Sequence, residues 1–171
     1  MMTNLILLSG PIGAGKTTIA KELVKLTPRP TAYLEGDRWW PFFDEGANTF
    51  SKQRNFRLAM SSMIAASLPL LHGGYDVILD FTIPPSDLDL VRKIVGDREV
   101  TLHYVCVMPN LETCALRARE RAEGKIPDYS DVEGFFRMFE SSPTRIIDSP
   151  APAAETAAEI WTLLASSELR I

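Results

Sequence analysis

The hydrophobic and polar positions of the chain alternate between two patterns. Short, almost wholly apolar runs occupy residues 5–8, 31–34, 77–79, 100–108 and 145–147, and such runs are typical of buried parallel strands. Between these runs, apolar residues recur at the three- and four-residue spacing of an amphipathic helix. Strands that alternate with helices predict an α/β fold, with a parallel sheet and helices on both of its faces.

The predicted helices have recognisable ends. The first helix follows a glycine-rich turn and stops before Pro28, because proline cannot continue a helix. A long helix spans about residues 51–72 and stops at Gly73, and Pro69 inside it is expected to kink or shorten it. The last helix carries one apolar stripe, formed by Ala154, Ala157, Ala158, Trp161, Leu164 and Ala165.

Length, composition and charge limit the class of protein. The chain has 171 residues, of which 46% are apolar, and no linker divides it, so we predict one domain over residues 1–171. No run reaches the roughly 18 apolar residues of a membrane helix, and no Lys or Arg of a secretory signal precedes the first apolar run. We therefore expect a cytoplasmic protein without membrane contact, either a monomer or a homodimer. A formal net charge of −4 argues against a nucleic-acid partner.

The turn after the first strand carries the clearest motif. Residues 10–17 read G-P-I-G-A-G-K-T, which matches the Walker A pattern in its required place between a strand and a helix. Backbone N–H groups of such a loop cradle phosphates, helped by the positive end of the helix dipole. Lys16 is expected to reach the β- and γ-phosphates, and the Thr17 hydroxyl to ligate Mg²⁺. The predicted nucleotide-binding residues are Gly10, Gly13, Ala14, Gly15, Lys16, Thr17 and Thr18.

Two aspartates follow predicted strands, at the sheet edge where ligands of such folds bind. Asp37 comes just after the second strand, where a carboxylate can orient an acceptor hydroxyl and accept its proton. Asp80 ends the third strand and is predicted to hold Mg²⁺ through water, or else to position the acceptor. The two roles can be partly exchanged, and each aspartate also suits a simple turn.

Arginines are concentrated in the segment 117–131, which is predicted to be a mobile lid. Arg117 and Arg121 are four residues apart and therefore share a helical face. Both are expected to close over the transferred phosphate and to exclude water from it. The alternative is a solvated helix face on which neighbouring glutamates are their partners.

The acceptor is expected to bind within residues 36–72. Besides Asp37, the predicted substrate-binding residues are Arg38, Trp39, Arg54 and Arg57. The two arginines of the long helix fit either an acidic group of the acceptor or a solvated surface. The aromatic cluster next to Asp37 fits either a pocket wall or a small local core, and it consists of Trp39, Trp40, Phe42 and Phe43.

Together, the Walker A loop, the Gly-Asp after the second strand, the Asp ending the third strand and the arginine-rich lid resemble a known family. It is that of the small P-loop kinases: shikimate kinase, gluconate kinase, chloramphenicol phosphotransferase and zeta-toxin-like kinases. The resemblance covers most of the chain. It implies a P-loop NTPase three-layer sandwich with a five-stranded parallel sheet in the order 2-3-1-4-5. It also implies that Asp37 faces the acceptor, Arg117 lies near the adenine, Arg121 contacts phosphate, and residues 148–150, ending at Pro150, hold the adenine.

The chain departs from individual members of that family on the acceptor side. Residues 81–85 read F-T-I-P-P where shikimate kinase has three glycines, and Arg38 stands where gluconate kinase often has histidine. Neither substrate is therefore carried over. The sequence predicts a kinase that uses ATP and Mg²⁺ to phosphorylate a hydroxyl group of a small molecule. A polynucleotide 5′-hydroxyl kinase and a nucleotide hydrolase or switch are the alternatives.

Overall fold

The structure is a computed structural model that describes residues 2–39, 42, 52–122, 124–140, 142, 144–146 and 152–171. The strands in these ranges are β1 (Thr3–Ser9), β2 (Thr31–Glu35), β3 (Asp76–Asp80), β4 (Val100–Val107) and β5 (Arg145–Ile146). The α-helices are α1 (Lys16–Leu26), α2 (Lys52–His72), α3 (Leu88–Val95), α4 (Leu111–Glu120), α5 (Glu133–Arg137) and α6 (Ala153–Ala165). Short 3₁₀ turns occur at Gly36–Arg38, Pro85–Asp87 and Tyr129–Val132.

The strands form one parallel sheet in the order β2-β3-β1-β4-β5, which confirms the order predicted from the family resemblance. The last strand, β5, has two described residues, and the predicted third, Ile147, lies outside the described residues. Because all strands run in one direction, their carboxyl ends meet at the same edge of the sheet. The ends of β1, β2 and β3 place Ser9, Glu35 and Asp80 at that edge.

Hydrophobic cores lie on both faces of the sheet. Along β1, Leu5 and Leu7 belong to the core that α2 and α3 cover, whereas Ile6 and Leu8 belong to the core that α1 and α6 cover. All four side chains are buried, and burial of each stabilises the fold by roughly 1.5–3 kcal/mol relative to exposure. This arrangement confirms the predicted sandwich of helices, sheet and helices, and explains why residues 5–8 of β1 are all apolar.

The long helix α2 is close to its predicted bounds, and it does not end at its proline. It continues through Pro69 to His72, and the chain leaves it at Gly73, whose N–H donates to the Pro69 carbonyl. None of the helices in the described ranges is long and apolar enough to cross a membrane.

The apolar stripe predicted for α6 is wrong in part. The buried residues of this helix are Thr156, Ala157, Ile160 and Leu164, whereas Ala154, Ala158 and Ala165 are exposed. Burying an alanine side chain removes little apolar surface from water, so the larger Ile160 decides which face packs on the core. The buried stripe is therefore rotated relative to the predicted one.

Candidate functional site

A cleft of about 850 Å³ opens at the carboxyl edge of the sheet. Its walls come from the loop between β1 and α1, the ends of β2 and β3, the end of α4 and the start of α6. Six predicted nucleotide-binding or metal-binding residues of the loop and α1 line it: Gly13, Ala14, Gly15, Lys16, Thr17 and Thr18. Gly10 is buried at the base of the same loop.

Glycines shape this loop because its backbone enters the left-handed region. Gly13 has a φ angle of +83° and Gly15 one of +89°, which side-chain-bearing residues rarely adopt. A Cβ atom on Gly13 would also lie 2.2 Å from the carbonyl oxygen of Cys114 in α4. Gly15 directly precedes α1, so the N–H groups of the loop and of the first helical turn border the cleft. Such an arrangement binds phosphate oxygens.

The side chain of Lys16 folds back over the loop. Its Nζ atom donates to the carbonyl oxygens of Gly10 at 3.0 Å and Pro11 at 2.9 Å. Burial lowers the pKa of Lys16, and the nearby carboxylates of Asp80 and Asp37 act in the opposite direction. The lysine head group is thus held beside the loop, where a phosphate would be bound.

Thr17 and Asp80 meet inside the cleft. The Thr17 hydroxyl donates to Oδ2 of Asp80 at 2.7 Å, and Asp80 is only 4% exposed. Burial raises the pKa of the Asp80 carboxyl, while the Lys16 ammonium and the hydroxyl donors Thr17 and Tyr33 oppose that rise. These oxygen donors fit Mg²⁺, which proteins hold through one or two carboxylates together with substrate phosphates and water. Within the described ranges, no group of three or more His, Cys, Asp or Glu side chains forms a separate metal site.

Tyr33 is a polar residue of this site that the sequence analysis missed. Its hydroxyl donates to the same Asp80 oxygen at 3.1 Å. Burial raises the pKa of Tyr33, and the charges of Asp80 and Glu35 add to this effect, so the phenol keeps its proton and remains a donor. Tyr33 lies in an apolar strand pattern, and only the pairing of β2 with β3 indicates that it can reach Asp80.

Asp37 lies at the open side of the cleft. It belongs to the 3₁₀ turn that follows β2, and its side chain is 71% exposed. Arg38 of the same turn and Glu35 at the end of β2 also line the cleft, and Nε of Arg38 lies 2.9 Å from a carboxylate oxygen of Glu35. An accessible carboxylate in the same cleft as the phosphate loop can contact the hydroxyl of a second ligand.

The predicted lid residues Arg117 and Arg121 both line the cleft, but they do not share a helical face. Helix α4 ends at Glu120, and Arg121 has extended ψ, so the two guanidinium groups approach from different backbone directions. Nη1 of Arg117 donates to the Ala14 carbonyl at 3.4 Å, and Nη2 of Arg121 lies 3.3 Å from Oδ2 of Asp37. Arg117 of α4 therefore contacts the phosphate loop, whereas Arg121, which follows the helix, contacts Asp37.

The segment after α4 is also attached to the phosphate loop. The hydroxyl of Tyr129 donates to the Ile12 carbonyl at 2.7 Å, and the N–H of Ile126 donates to the Ala118 carbonyl at 3.1 Å. The hydrogen bond from Tyr129 thus connects the residues after α4 to the backbone of the phosphate loop.

Several predicted site residues lie away from the cleft or outside the described residues. Trp39 packs against the hydrophobic core and contacts the Phe42 ring edge-on, with centroids 5.6 Å apart. Arg54 and Arg57 line a separate depression of about 350 Å³ on α2, and Arg57 pairs with Asp87 at 2.9 Å. The remaining predicted residues, Trp40, Phe43 and Pro150, lie outside the described residues.

The sequence analysis did not name the other residues that line the cleft. They are Ile12, Ile19, Glu35, Phe81, Thr82, Ala122, Ala153 and Thr156. Glu35, Phe81 and Thr82 lie beside the two predicted aspartates, so the strand ends were a sufficient guide to them. Ala153 and Thr156 start α6, a few residues after the predicted adenine-binding segment, and thus border the same cleft from that side.

Comparison with protein-family models identifies the chain. Residues 5–134 match the family described as AAA domain. The chain belongs to this family. The match includes the phosphate loop, Asp37, Asp80 and both arginines of the predicted lid, and it ends at the start of α5. No curated protein sequence matches the chain.

Solved structures share the fold at low sequence identity. The Deinococcus radiodurans tunicamycin resistance protein is 17% identical, with a TM-score of 0.68 and 96% of each chain covered. The Mycobacterium tuberculosis APS kinase, solved with AMPPNP and APS, is 18% identical, with a TM-score of 0.68 over 96% of this chain and 98% of that one. The Acinetobacter baumannii shikimate kinase, solved with shikimate, is 18% identical, with a TM-score of 0.59 over 99% of this chain and 96% of that one. The predicted resemblance to small P-loop kinases is confirmed at the level of the fold.

Proposed function

We propose that the protein transfers the terminal phosphate of ATP to a hydroxyl group of a small molecule. The observation that carries the proposal is that one cleft contains both the phosphate loop and Asp37, with Arg121 in contact with that aspartate. A nucleotide hydrolase or switch needs, besides the loop, a residue that positions the attacking water. A transferase instead needs an acceptor-side carboxylate and a cation for the transferred group.

On the nucleotide side, backbone N–H groups of the loop would bind the phosphates, and Lys16 would contact the β- and γ-phosphates as a point charge. Thr17 and Asp80 would hold Mg²⁺, with Thr17 as a direct ligand and Asp80 as the carboxylate beside it. When bound, Mg²⁺ would neutralise part of the charge on the phosphates. Ala153 and Thr156 border the cleft where the adenine would lie, next to Arg117.

On the acceptor side, Asp37 would act as the general base. The acceptor hydroxyl oxygen forms a new bond to the γ-phosphorus, and the bond from that phosphorus to the β,γ-bridging oxygen breaks. The hydroxyl proton passes to the Asp37 carboxylate, and ADP leaves with the electron pair of the broken bond. Arg121, and Arg117 from the loop side, would stabilise the negative charge on the transferring group, which is where such a reaction needs cations.

The charge of the chain favours a small acceptor over the end of a nucleic acid. The formal net charge is −4, and the described residues of the cleft include the acidic side chains of Glu35, Asp37 and Asp80. A groove that follows a nucleic-acid backbone is usually basic and offers exposed aromatic rings for stacking. A cytoplasmic location, where ATP is available, belongs to the same proposal, which fits either a monomer or a homodimer.

The direct test is transfer of γ-labelled phosphate from ATP with Mg²⁺ into a pool of hydroxyl-bearing metabolites. Lys16→Ala serves as the blank, because it removes the phosphate-binding cation. We expect label in a small molecule with the wild-type protein and none above background with the variant. Label that appears only as inorganic phosphate would support a hydrolase instead, and label accepted only by an added 5′-hydroxyl oligonucleotide would support a polynucleotide kinase.

A further inference from the structure

The hydroxyl of Tyr33 is aimed at the carboxylate beside the phosphate loop. Oδ2 of Asp80 receives two hydrogen bonds, from Thr17 at 2.7 Å and from Tyr33 at 3.1 Å. We propose that Tyr33 is a positioning residue, which fixes the orientation of Asp80 for the Mg²⁺ of a bound nucleotide. This inference rests on the nucleotide-binding part of the proposed function.

The two donors come from different layers of the fold. Thr17 lies in the first turn of α1, whereas Tyr33 lies in β2, the edge strand next to β3. A carboxylate that receives two bonds on one oxygen loses the freedom to rotate about its Cβ–Cγ bond. The other oxygen, Oδ1, therefore keeps one direction, which is a requirement for binding a cation of strict geometry such as Mg²⁺.

Thr17 and Tyr33 hold Asp80 from different parts of the fold. The Thr17 hydroxyl can donate its proton to Asp80 while a lone pair of its oxygen binds the metal, so its position depends on the phosphate loop and on the metal. Tyr33 lies in β2 and does not belong to the phosphate loop, so its hydrogen bond to Asp80 does not depend on the loop. Tyr33 thus holds the Asp80 carboxylate from the sheet, independently of the phosphate loop.

The strand register explains why this residue is a tyrosine. Tyr33 pairs with Ile78, two residues before Asp80 on β3, and its ring packs with the core on the α1 side of the sheet. Two strand residues span roughly 6.6 Å, and a phenol is long enough to bridge that distance along the neighbouring strand. A serine or threonine hydroxyl at the same position would end too close to its own backbone to reach Asp80.

The test measures metal binding rather than catalysis. Mn²⁺ affinity is measured on the ADP complex, by titration followed with electron paramagnetic resonance, for wild type and Tyr33→Phe. We expect roughly 10-fold weaker Mn²⁺ binding in Tyr33→Phe, which is in the range typical for loss of a hydrogen-bond partner of a metal ligand. ADP affinity in the presence of EDTA is expected to stay within about twofold, because the loop itself is unchanged.

A matched variant separates positioning from folding. Tyr104→Phe removes another buried hydroxyl, which donates to the Ile83 carbonyl at 2.8 Å and does not contact Asp80. It is expected to lower the melting temperature yet to leave Mn²⁺ affinity unchanged. If Tyr33 acts only through stability, the two variants will behave alike, and the positioning role is wrong.

A double-mutant cycle with Asp80→Asn tests whether Tyr33 acts on Mn²⁺ binding through Asp80. If Tyr33 acts through Asp80, Tyr33→Phe will weaken Mn²⁺ binding in the wild-type background and add nothing in the Asp80→Asn background. Equal losses in both backgrounds, or unchanged Mn²⁺ affinity in Tyr33→Phe, would overturn the inference while leaving the proposed function intact. A wild-type protein that binds no ADP would instead contradict the proposed function itself.

Discussion

The guanidinium of Arg121 and the carboxylate of Asp37 lie 3.3 Å apart, although 84 positions of sequence separate them. One residue follows α4 and the other follows β2, so the contact joins the predicted lid segment to the turn after β2. Both side chains are substantially exposed, at 36% and 71%. An exposed pair contributes about 0–1 kcal/mol, so Arg121 can leave Asp37 for a phosphate at little cost.

Replacement of Arg121 by alanine is expected to slow phosphoryl transfer by about 100- to 1000-fold, because a cation on the transferring group stabilises the transition state. The melting temperature is expected to change little, because the pair is exposed. Transfer rates at saturating ATP check the first point, and a thermal melt checks the second.

Arg119→Ala is the matched control for this variant. Arg119 lies in the last turn of α4, two residues before Arg121, is exposed and does not line the cleft. It is expected to transfer phosphate at the wild-type rate. An Arg121→Ala protein as active as Arg119→Ala would show that the lid arginine does not take part in transfer.

Gly13→Ala is expected to destabilise the protein and to remove nucleotide binding. The new Cβ atom would lie 2.2 Å from the Cys114 carbonyl oxygen, and the residue would have to adopt a φ of +83°. The left-handed conformation costs roughly 1–2 kcal/mol and overpacking roughly 1–3 kcal/mol. Chemical denaturation and ATP titration measure the two effects.

Gly134→Ala provides the comparison for that loop variant. Gly134 lies in α5, and nothing lies within 4 Å of an added Cβ atom. Alanine there is expected to stabilise the helix by roughly 0.5–1 kcal/mol. Wild-type stability and ATP affinity in Gly13→Ala would contradict the packing of the loop on α4.

The sheet could be predicted from the sequence because a parallel strand covered on both faces is apolar throughout. That pattern located the five strands of the described residues, and the loop motif fixed the first helix. The face of α6 could not be predicted from the pattern, because Ala154 and Ala158 look as apolar as the buried Ala157. Its buried face depends on which side carries Ile160, and that is decided by packing against α1.

The candidate site was predictable where a strand end or the loop motif fixes a residue in space, as for Lys16 and Asp80. It was not predictable where partners come from distant segments. Arg57 pairs with Asp87, which is 30 residues away, and Tyr33 reaches Asp80 across a strand pair. Arg121 has no helical geometry, although its spacing from Arg117 indicated a shared helical face.

A pH effect on stability is expected from His103. It is buried in β4, where its Nε2 atom lies 3.2 Å from Oδ1 of Asn4. Burial lowers the pKa of His103, the charge of Arg170 lowers it further, and Asp76 opposes the shift. Below pH 6.5, the unfolded chain therefore takes up this proton before the folded protein does. Stability is fully present above pH 6.5 and is lost as pH falls toward the lower pKa of the folded state.

His103→Gln should remove this pH dependence, because glutamine keeps a polar side chain that does not titrate. The drop in melting temperature between pH 7.5 and pH 5.5 is expected to be smaller in the variant, by roughly 2–4 °C for each kcal/mol of linkage removed. His72→Gln, at an exposed position at the end of α2, is expected to keep the wild-type drop. Equal drops in all three proteins would contradict the role of His103.

Asp37 is the residue on which the assignment of transfer depends. Asp37→Asn preserves the shape of the side chain, and the loss of its exposed pair with Arg121 costs little. Because Asp37 does not belong to the phosphate loop, the variant is expected to bind ATP within about twofold of wild type. Loss of a general base slows transfer by about 100- to 10,000-fold.

The most direct measurement is the rate of phosphate transfer to the acceptor by Asp37→Asn and wild type, both saturated with ATP and Mg²⁺, with ATP affinity measured on the same samples. The account predicts a loss of at least about 100-fold in the transfer rate with ATP affinity preserved. Transfer at the wild-type rate, or loss of ATP binding in a folded Asp37→Asn protein, would contradict it.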